Sequence, residues 1–349
     1  MSALWYAILA FMLTTYVVLD GRNFGAGILH WIVARDRFER RQIIAAIGPL
    51  WSWHEVWLVG TGGVMIMAFP RFMALAFSGY YLALFLVLWC VLLRGISLEV
   101  GGHLDDHLWQ TFWDAVFSLS NALLAVLFGA AFGNVVRGVP LKPDGSFYLT
   151  FFTTFRVTGR VGLLDWYTLS VAAFAALVLT AHGATYLTMR TEGLVHDRSR
   201  GWAWRLWMAS LPLFVLITAM TWTVRPELLT GFAQRPFAWL NACIAVGGAG
   251  ALGLGLRQGR ERLALYGSSG LIYGIIMTGA AALYPVMLYS TLPEVGHLSA
   301  ESLAAPDHSL RIALVWWIPA LLLALTYLAI IARHYSGKVT AFKDKQSLY

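Results

Sequence analysis

Residues 4–32, LWYAILAFMLTTYVVLDGRNFGAGILHWI, decide how this chain has to be read. From Leu4 to Leu19 no side chain is charged; then Asp20 and Arg22 appear, and the apolar character resumes. A run of this length matches the roughly 20 residues a helix needs to cross the hydrocarbon layer. Charge at that depth costs about 2.5–3.5 kcal/mol per residue, so each ionisable group inside such a run needs a partner or a function.

The pattern continues along the chain. Apolar runs fall near 4–32, 45–68, 75–93, 112–136, 162–188, 206–224, 237–256, 264–290 and 311–332, which makes nine candidate spans. The chain of 349 residues is 59% hydrophobic and 12% charged, with mean hydropathy +0.66. A soluble domain carries about a quarter charged residues. A transmembrane barrel would show short alternating segments of about ten residues. The expected class is an all-α integral membrane protein of about nine transmembrane helices, with residues 1–349 forming one polytopic domain. No positive residue or small-residue cleavage site accompanies the first run, so it is expected to stay as the first helix.

The net charge of +7 would point to nucleic acid in a soluble protein. Here its cause is the collection of arginines on one membrane face, and no nucleic acid is expected. One set of connections holds 16 Lys and Arg residues, from Arg35, Arg37, Arg40 and Arg41 to Lys338, Lys343 and Lys345; the alternate set holds 8. The positive-inside bias then predicts an extracytoplasmic N-terminus and a cytoplasmic C-terminus. The longest connections, 137–161 and 291–310, fall outside, contain no metal-ligand cluster, and lead to no metal site being expected. Cys90 and Cys243 lie in apolar runs and read as small buried side chains.

Two motifs mislead. Gly248-x-Gly250-x-x-Gly253 has dinucleotide-fingerprint spacing, but it lies inside a spanning run rather than between a strand and a helix. Close helix approach is the better reading there and at Gly129-x-x-x-Gly133. Most of the 16 tryptophans, Trp316 and Trp317 among them, suit interfacial anchoring.

Four places put ionisable groups at membrane depth: Asp20 with Arg22, His54 with Glu55, Arg94 with Glu99, and His182. Adjacent helical residues point about 100° apart, so His54 and Glu55 do not share a face. Glu55 stacks with Trp51 and Ser52 on a stripe that could line a polar cavity, with indole N–H groups as donors. Alternatively it is a helix-end carboxylate bonded to a neighbouring helix or to a partner subunit's arginine. Arg94 and Glu99 either snorkel or pair. His182 suits an interhelical hydrogen bond, with Thr180, Thr185 and Tyr186 nearby; haem ligation is the minority reading.

With these residues in view, the chain resembles subunit II of the cytochrome bd family of quinol oxidases. The matching stretches are VVLDGRNFGAGIL at 17–29, GPLWSWHEVWLVGTGG at 48–63, FPRFMALAFSGYYLAL at 69–84, LRGISLE at 93–99, FWD at 112–114, FGNVVRGVP at 132–140, GATYLTMRT at 183–191, YP at 284–285 and the terminal SLY. The resemblance implies two four-helix bundles plus one peripheral helix, the first bundle in 1–136 and the remaining helices in 162–349. It implies a bacterial cytoplasmic (inner) membrane protein, and a partner subunit I carrying two b-type haems, haem d and the quinol-oxidation loop. The complex would reduce dioxygen to water with cytoplasmic protons. This subunit would stabilise its partner and line part of a proton path, with no catalytic residue or haem ligand of its own. A bound quinone or lipid and a small accessory subunit are compatible with it.

The departures define a divergent branch, similar to cyanide-insensitive oxidases. Family members commonly read DGFDxG in the first helix and WDGNEVWL in the second. Here Asn23 stands at the second acid, and Ser52, Trp53 and His54 replace Asp, Gly and Asn, while Asp20, Glu55 and Trp57 are kept. Asn and Ser cannot exchange a proton near neutral pH, whereas His can. The expected proton path or polar cavity is therefore Asp20, Asn23, Ser52, His54, Glu55 and Glu99, with Trp51, Trp53 and Trp57 as aromatic interface. The competing expectations are a path wholly in subunit I, a bd-like complex with another electron donor, or a secondary transporter or channel.

Overall fold

The computed structural model describes residues 1–340; Lys343, Lys345 and the terminal SLY lie outside the described residues. The helices are α1 (Ser2–Val33), α2 (Arg37–Ile47), α3 (Trp51–Ala68), α4 (Pro70–Gly79), α5 (Tyr81–Val100), α6 (His107–Arg137), α7 (Trp166–Arg190), α8 (Gly193–Val224), α9 (Glu227–Gln234), α10 (Pro236–Gln258), α11 (Glu261–Leu283), α12 (Ala300–Leu303) and α13 (Asp307–His334). Strands β1 (Val286–Leu288) and β2 (Leu298–Ser299) pair antiparallel beside α12. Among the described residues eight helices are long and apolar enough to cross a membrane, and there are nine spans if the pair α3–α4, bent by 120°, counts as one.

Several run boundaries move. The 45–68 run is two elements, because α2 ends at Ile47 and α3 starts at Trp51. Pro49 between them cannot supply a helical N–H and disfavours helix in the residue before it. The 75–93 run is cut at Tyr80, between α4 and α5. The 264–290 run stops being helical at Leu283, since its last residues enter β1. Apolar composition marks burial in lipid or protein and does not mark where the helix ends.

Helices α1, α3, α5 and α6 pack together, α7, α8, α10 and α11 form a second group, and α7 against both α1 and α6 joins the two. α13 lies outside both groups, with none of its apolar window buried. It is tied on by the Trp53–Tyr327 stack, with ring centroids 3.5 Å apart, and by an edge contact of Trp317 with Trp5. Small residues set the α10–α11 seam. A Cβ on Gly248 would lie 2.4 Å from the Leu271 nitrogen, and one on Gly267 would lie 2.3 Å from the Leu252 nitrogen. Gly250 and Gly253 meet nothing within 4 Å, so only the first glycine of that motif serves close approach. Cys90 is buried as expected, whereas Cys243 is exposed on the outer face of α10.

At one end, the connections 138–165 and 284–306 lace together through Val139, Tyr289 and Thr291 backbone bonds. Beneath them Arg137, fully buried, donates to the Asp165 carboxylate and to Asn134 Oδ1 (2.6 Å). Asp165 also caps α7 by accepting from the Tyr167 and Thr168 amides. The opposite end carries α2, whose Asp36 caps it by accepting from the Glu39 amide. Glu39 then accepts from both Arg198 terminal nitrogens, at 2.8 and 2.7 Å, and from the Arg35 amide. These bonds hold the Glu39 carboxyl below the usual carboxylate range.

A folded-state pKa below the unfolded value means stability present above about pH 4.3 and lost as pH falls through that range. Glu39→Gln should cost about 2 kcal/mol in detergent-solubilised protein at pH 7. The difference between the variant and the parent should shrink below about pH 4. A gap in melting temperature that stays constant as the pH is taken from about 7 to well below about 4 would contradict the clamp.

Candidate functional site: a charge cluster inside the first helix group

The charges flagged in the sequence converge, but with different partners from those their spacing suggests. Asp20 and Asn23 lie three residues apart on one face of α1, where such side chains meet. Asn23 Nδ2 stands 2.9 Å from Asp20 Oδ1 and 2.7 Å from His54 Nδ1 on α3. Arg22 Nη2 approaches the other ring nitrogen, His54 Nε2, at 2.9 Å, and its guanidinium lies over the Tyr186 ring at 4.9 Å. Arg94 on α5 donates to Asp20 Oδ2 at 2.8 Å and to Glu55 Oε1 at 2.5 Å. Asp20 and His54 are fully buried and Arg94 is 1% exposed, while the Glu55 side chain keeps 22% exposure.

Two cations, two carboxylates and one imidazole therefore share a single buried patch. Arg94 is the bridge, because its planar fork can serve two carboxylates on different helices. The sequence left Arg94 and Glu99 either to snorkel or to pair, but residues five apart do not face each other on a helix. Glu99 is exposed and has no ion pair among the described residues. Ser52 is likewise exposed and outside the cluster. The donor to Glu55 is the Arg94 guanidinium, not a neighbouring indole. Trp51 packs over Gly95, Trp53 stacks on Tyr327, and Trp57 is buried against Phe11, so the tryptophans hold helices in place.

The hydrogen bonds around His54 do not close with ordinary protonation. A neutral imidazole donates from one nitrogen and accepts at the other, and a guanidinium can only donate. Nε2 must then accept from Arg22, which leaves the ring hydrogen on Nδ1. Asn23 has to present its oxygen there, and the O and N of an amide are told apart only by such a network. Turned that way, Asn23 places oxygen against Asp20 Oδ1, and that contact needs a proton of its own. The Asp20–Asn23–His54 row is one proton short in one amide orientation and has a donor facing a donor in the other.

Polar groups continue along the same stripe of α1. His30 lies seven residues beyond Asn23, about 10 Å along the axis. Its Nε2 contacts Asp114 Oδ1 at 3.0 Å, and Arg40 Nη1 reaches Asp114 Oδ2 at 3.3 Å. His30 Nδ1 is buried without a partner among the described residues. Sequence reading missed this pair; the available signal was Asp114 in the FWD stretch and a histidine in phase with Asn23.

His182 makes the interhelical bonds expected of it, though to Ser268 Oγ (2.8 Å) and the Val18 carbonyl (3.1 Å) rather than to nearby threonines. Both ring nitrogens of His54 and of His182 are thus engaged within the chain. Iron ligation needs a free nitrogen, so neither residue fits a haem. Among the described residues, no three His, Cys, Asp or Glu side chains converge as metal ligands.

The sequence matches the family described as cytochrome bd terminal oxidase subunit II over residues 1–334. It is 27% identical to a probable cytochrome oxidase subunit 2 of Haemophilus influenzae, over 99% of this chain and 98% of that protein. It is 32% identical to the cytochrome bd-I ubiquinol oxidase subunit 2 of Escherichia coli, over 61% of this chain and 55% of the relative. In three dimensions it resembles a chain of the bd oxidase from Geobacillus thermodenitrificans, with TM-score 0.76 and 16% identity, covering 96% of this chain and 98% of the other.

Proposed function

Because this chain belongs to the cytochrome bd terminal oxidase subunit II family, we propose that it is the non-haem-ligating half of a quinol:dioxygen oxidoreductase in a bacterial inner membrane. Its arginine-rich end, carrying α2, faces the cytoplasm on this reading. The partner subunit I carries the two b-type haems and haem d, and those groups supply the electron transfer and oxygen reduction. This chain braces the partner and handles protons on their way in from the cytoplasm.

The observation that supports proton handling is the unclosed hydrogen bonding of the Asp20–Asn23–His54 row. A row that is satisfied only when a proton occupies one of two places is a place where a proton can be passed. The His30–Asp114 pair extends protonatable groups toward the arginine-rich end. Glu55, the partly exposed acid of the cluster, is the exit on this reading. In the assembled oxidase, Glu55→Gln and His54→Leu should each slow oxygen reduction about tenfold, equivalent to ~1.4 kcal/mol of barrier. The haem spectra should stay unchanged.

A second reading is favoured by Arg94, which bonds both carboxylates at once and makes the cluster a clamp on α1, α3 and α5. On that reading both variants turn over at the parent rate and lose only thermal stability, with protons travelling wholly through subunit I.

A further inference from the structure

In the second helix group, α7 packs on α8 and α11, and α11 on α10, but α8 and α10 do not close the fourth side. At the arginine-rich end of that open side lies a cavity of about 460 Å³, lined by Asp197, Arg200, Gly201, Trp204 and Arg205 of α8 and by Leu256 of α10. Arg200 and Arg205 are exposed and make no ion pair among the described residues; Arg205 lies over the Trp202 ring at 5.8 Å. The acids nearby are already engaged. Asp197 contacts His196 Nδ1 at 2.9 Å, and Glu261 contacts His196 Nε2 at 2.6 Å and Lys338 Nζ at 2.8 Å.

Exposed apolar side chains continue from the cavity along α8. Met208, Leu211 and Val215 follow Arg205 on the same face of α8, 42%, 56% and 67% exposed. On α10, Gly253, Ala249 and Val246 follow back from the cavity-lining Leu256 at spacings of three and four, which keeps them near its side of the helix. A Cβ on Gly253 would meet nothing within 4 Å. One end of the gap is therefore cationic with a tryptophan rim, and the rest is a strip of small and aliphatic groups at membrane depth.

We propose that this gap binds an anionic phospholipid, its phosphate in the cavity that the long side chains of Arg200 and Arg205 both line and one acyl chain between α8 and α10. Arginine forks match phosphate oxygens, and a guanidinium with no carboxylate partner is free to take them. Basic pockets between spans suit anionic headgroups, and indoles suit the headgroup layer. An apolar gap left empty loses dispersion contacts that an acyl chain restores. The inference concerns the second helix group alone and does not rest on the oxidase reading.

The test is native mass spectrometry of the purified assembly containing this chain, in mild detergent, with phosphatidylglycerol or phosphatidylcholine added. The parent should retain phosphatidylglycerol preferentially, and R200Q/R205Q should retain it about tenfold less, since each arginine near the surface strengthens the attraction to anionic lipid severalfold. Gly253→Leu, which leaves the charges in place and fills the gap, should also weaken retention; it serves where the double variant fails to assemble. Excess inorganic phosphate should not displace the lipid, because it brings no acyl chain. Equal retention of the two lipids, parent-like retention in both variants, or displacement by inorganic phosphate overturns the proposal.

Discussion

Arg94→Met should prevent the chain from accumulating in the membrane as a folded subunit. The substitution leaves Asp20 fully buried and Glu55 mostly buried without the guanidinium that bonds both. Breaking a buried ion pair by removing one partner costs roughly 3–5 kcal/mol, a large part of the 5–15 kcal/mol that holds an ordinary domain together. Arg22 cannot step in, because it reaches His54 from the far side and stands over Tyr186. Removing all three charges together is a different experiment. Asp20→Asn, Glu55→Gln and Arg94→Met combined should recover most of the lost yield, since replacing a whole buried ion set by neutral groups is often close to neutral in stability. Extraction yield and melting temperature in detergent report both outcomes. A single Arg94→Met variant with the yield and melting temperature of the parent would falsify the account of Arg94 as the bridge.

The second large effect lies at the seam between the helix groups. α1 and α7 cross where Gly25 meets Gly183. A Cβ on Gly25 would stand 2.0 Å from the Leu179 carbonyl oxygen, and one on Gly183 would stand 2.3 Å from the Ala26 nitrogen. Both obstacles are backbone, so no side-chain rotation relieves them. Gly183→Val must push the two helices apart, which also strains the bond from the adjacent His182 to the Val18 carbonyl, about two turns from Gly25 along α1. The cost should reach or exceed the upper end of the roughly 1–3 kcal/mol usual for overpacking. Gly247→Ala is the control, because a Cβ there meets nothing within 4 Å. Gly183→Val should lower the melting temperature of the purified chain by several degrees or abolish its extraction, while Gly247→Ala behaves as the parent. Parent-like melting of Gly183→Val would show that the seam yields more easily than its backbone contacts imply.

Much of the architecture was legible in the chain because hydrocarbon is an unforgiving solvent. A helix is the cheapest way to satisfy backbone polar groups there, so apolar runs of about 20 residues declare spans whatever their neighbours do. Run edges were less legible, as at Tyr80 and Leu283, because an apolar residue looks the same in a span, a bent surface helix or a buried strand. Membrane-depth charges were legible as anomalies for the same energetic reason. Their partners were not. Arg94 and Glu99 are close in sequence yet point apart, whereas Arg94 and Asp20 are 74 residues apart and in contact.

The sequence by itself determined the class, the approximate spans, the lopsided charge between the two ends, and the fact that Asp20, His54, Glu55 and Arg94 must each be answered by something. Each follows from transfer free energies of single residues or short runs, which depend on composition alone. Only the tertiary structure decided that one arginine answers two acids from different helices, that Ser52 and Glu99 stand apart, that His30 joins Asp114, and that α8 and α10 leave a gap. Those facts depend on how helices rotate and cross. Rotation and crossing are set by small-residue contacts such as Gly25 on Gly183, between segments far apart in the chain.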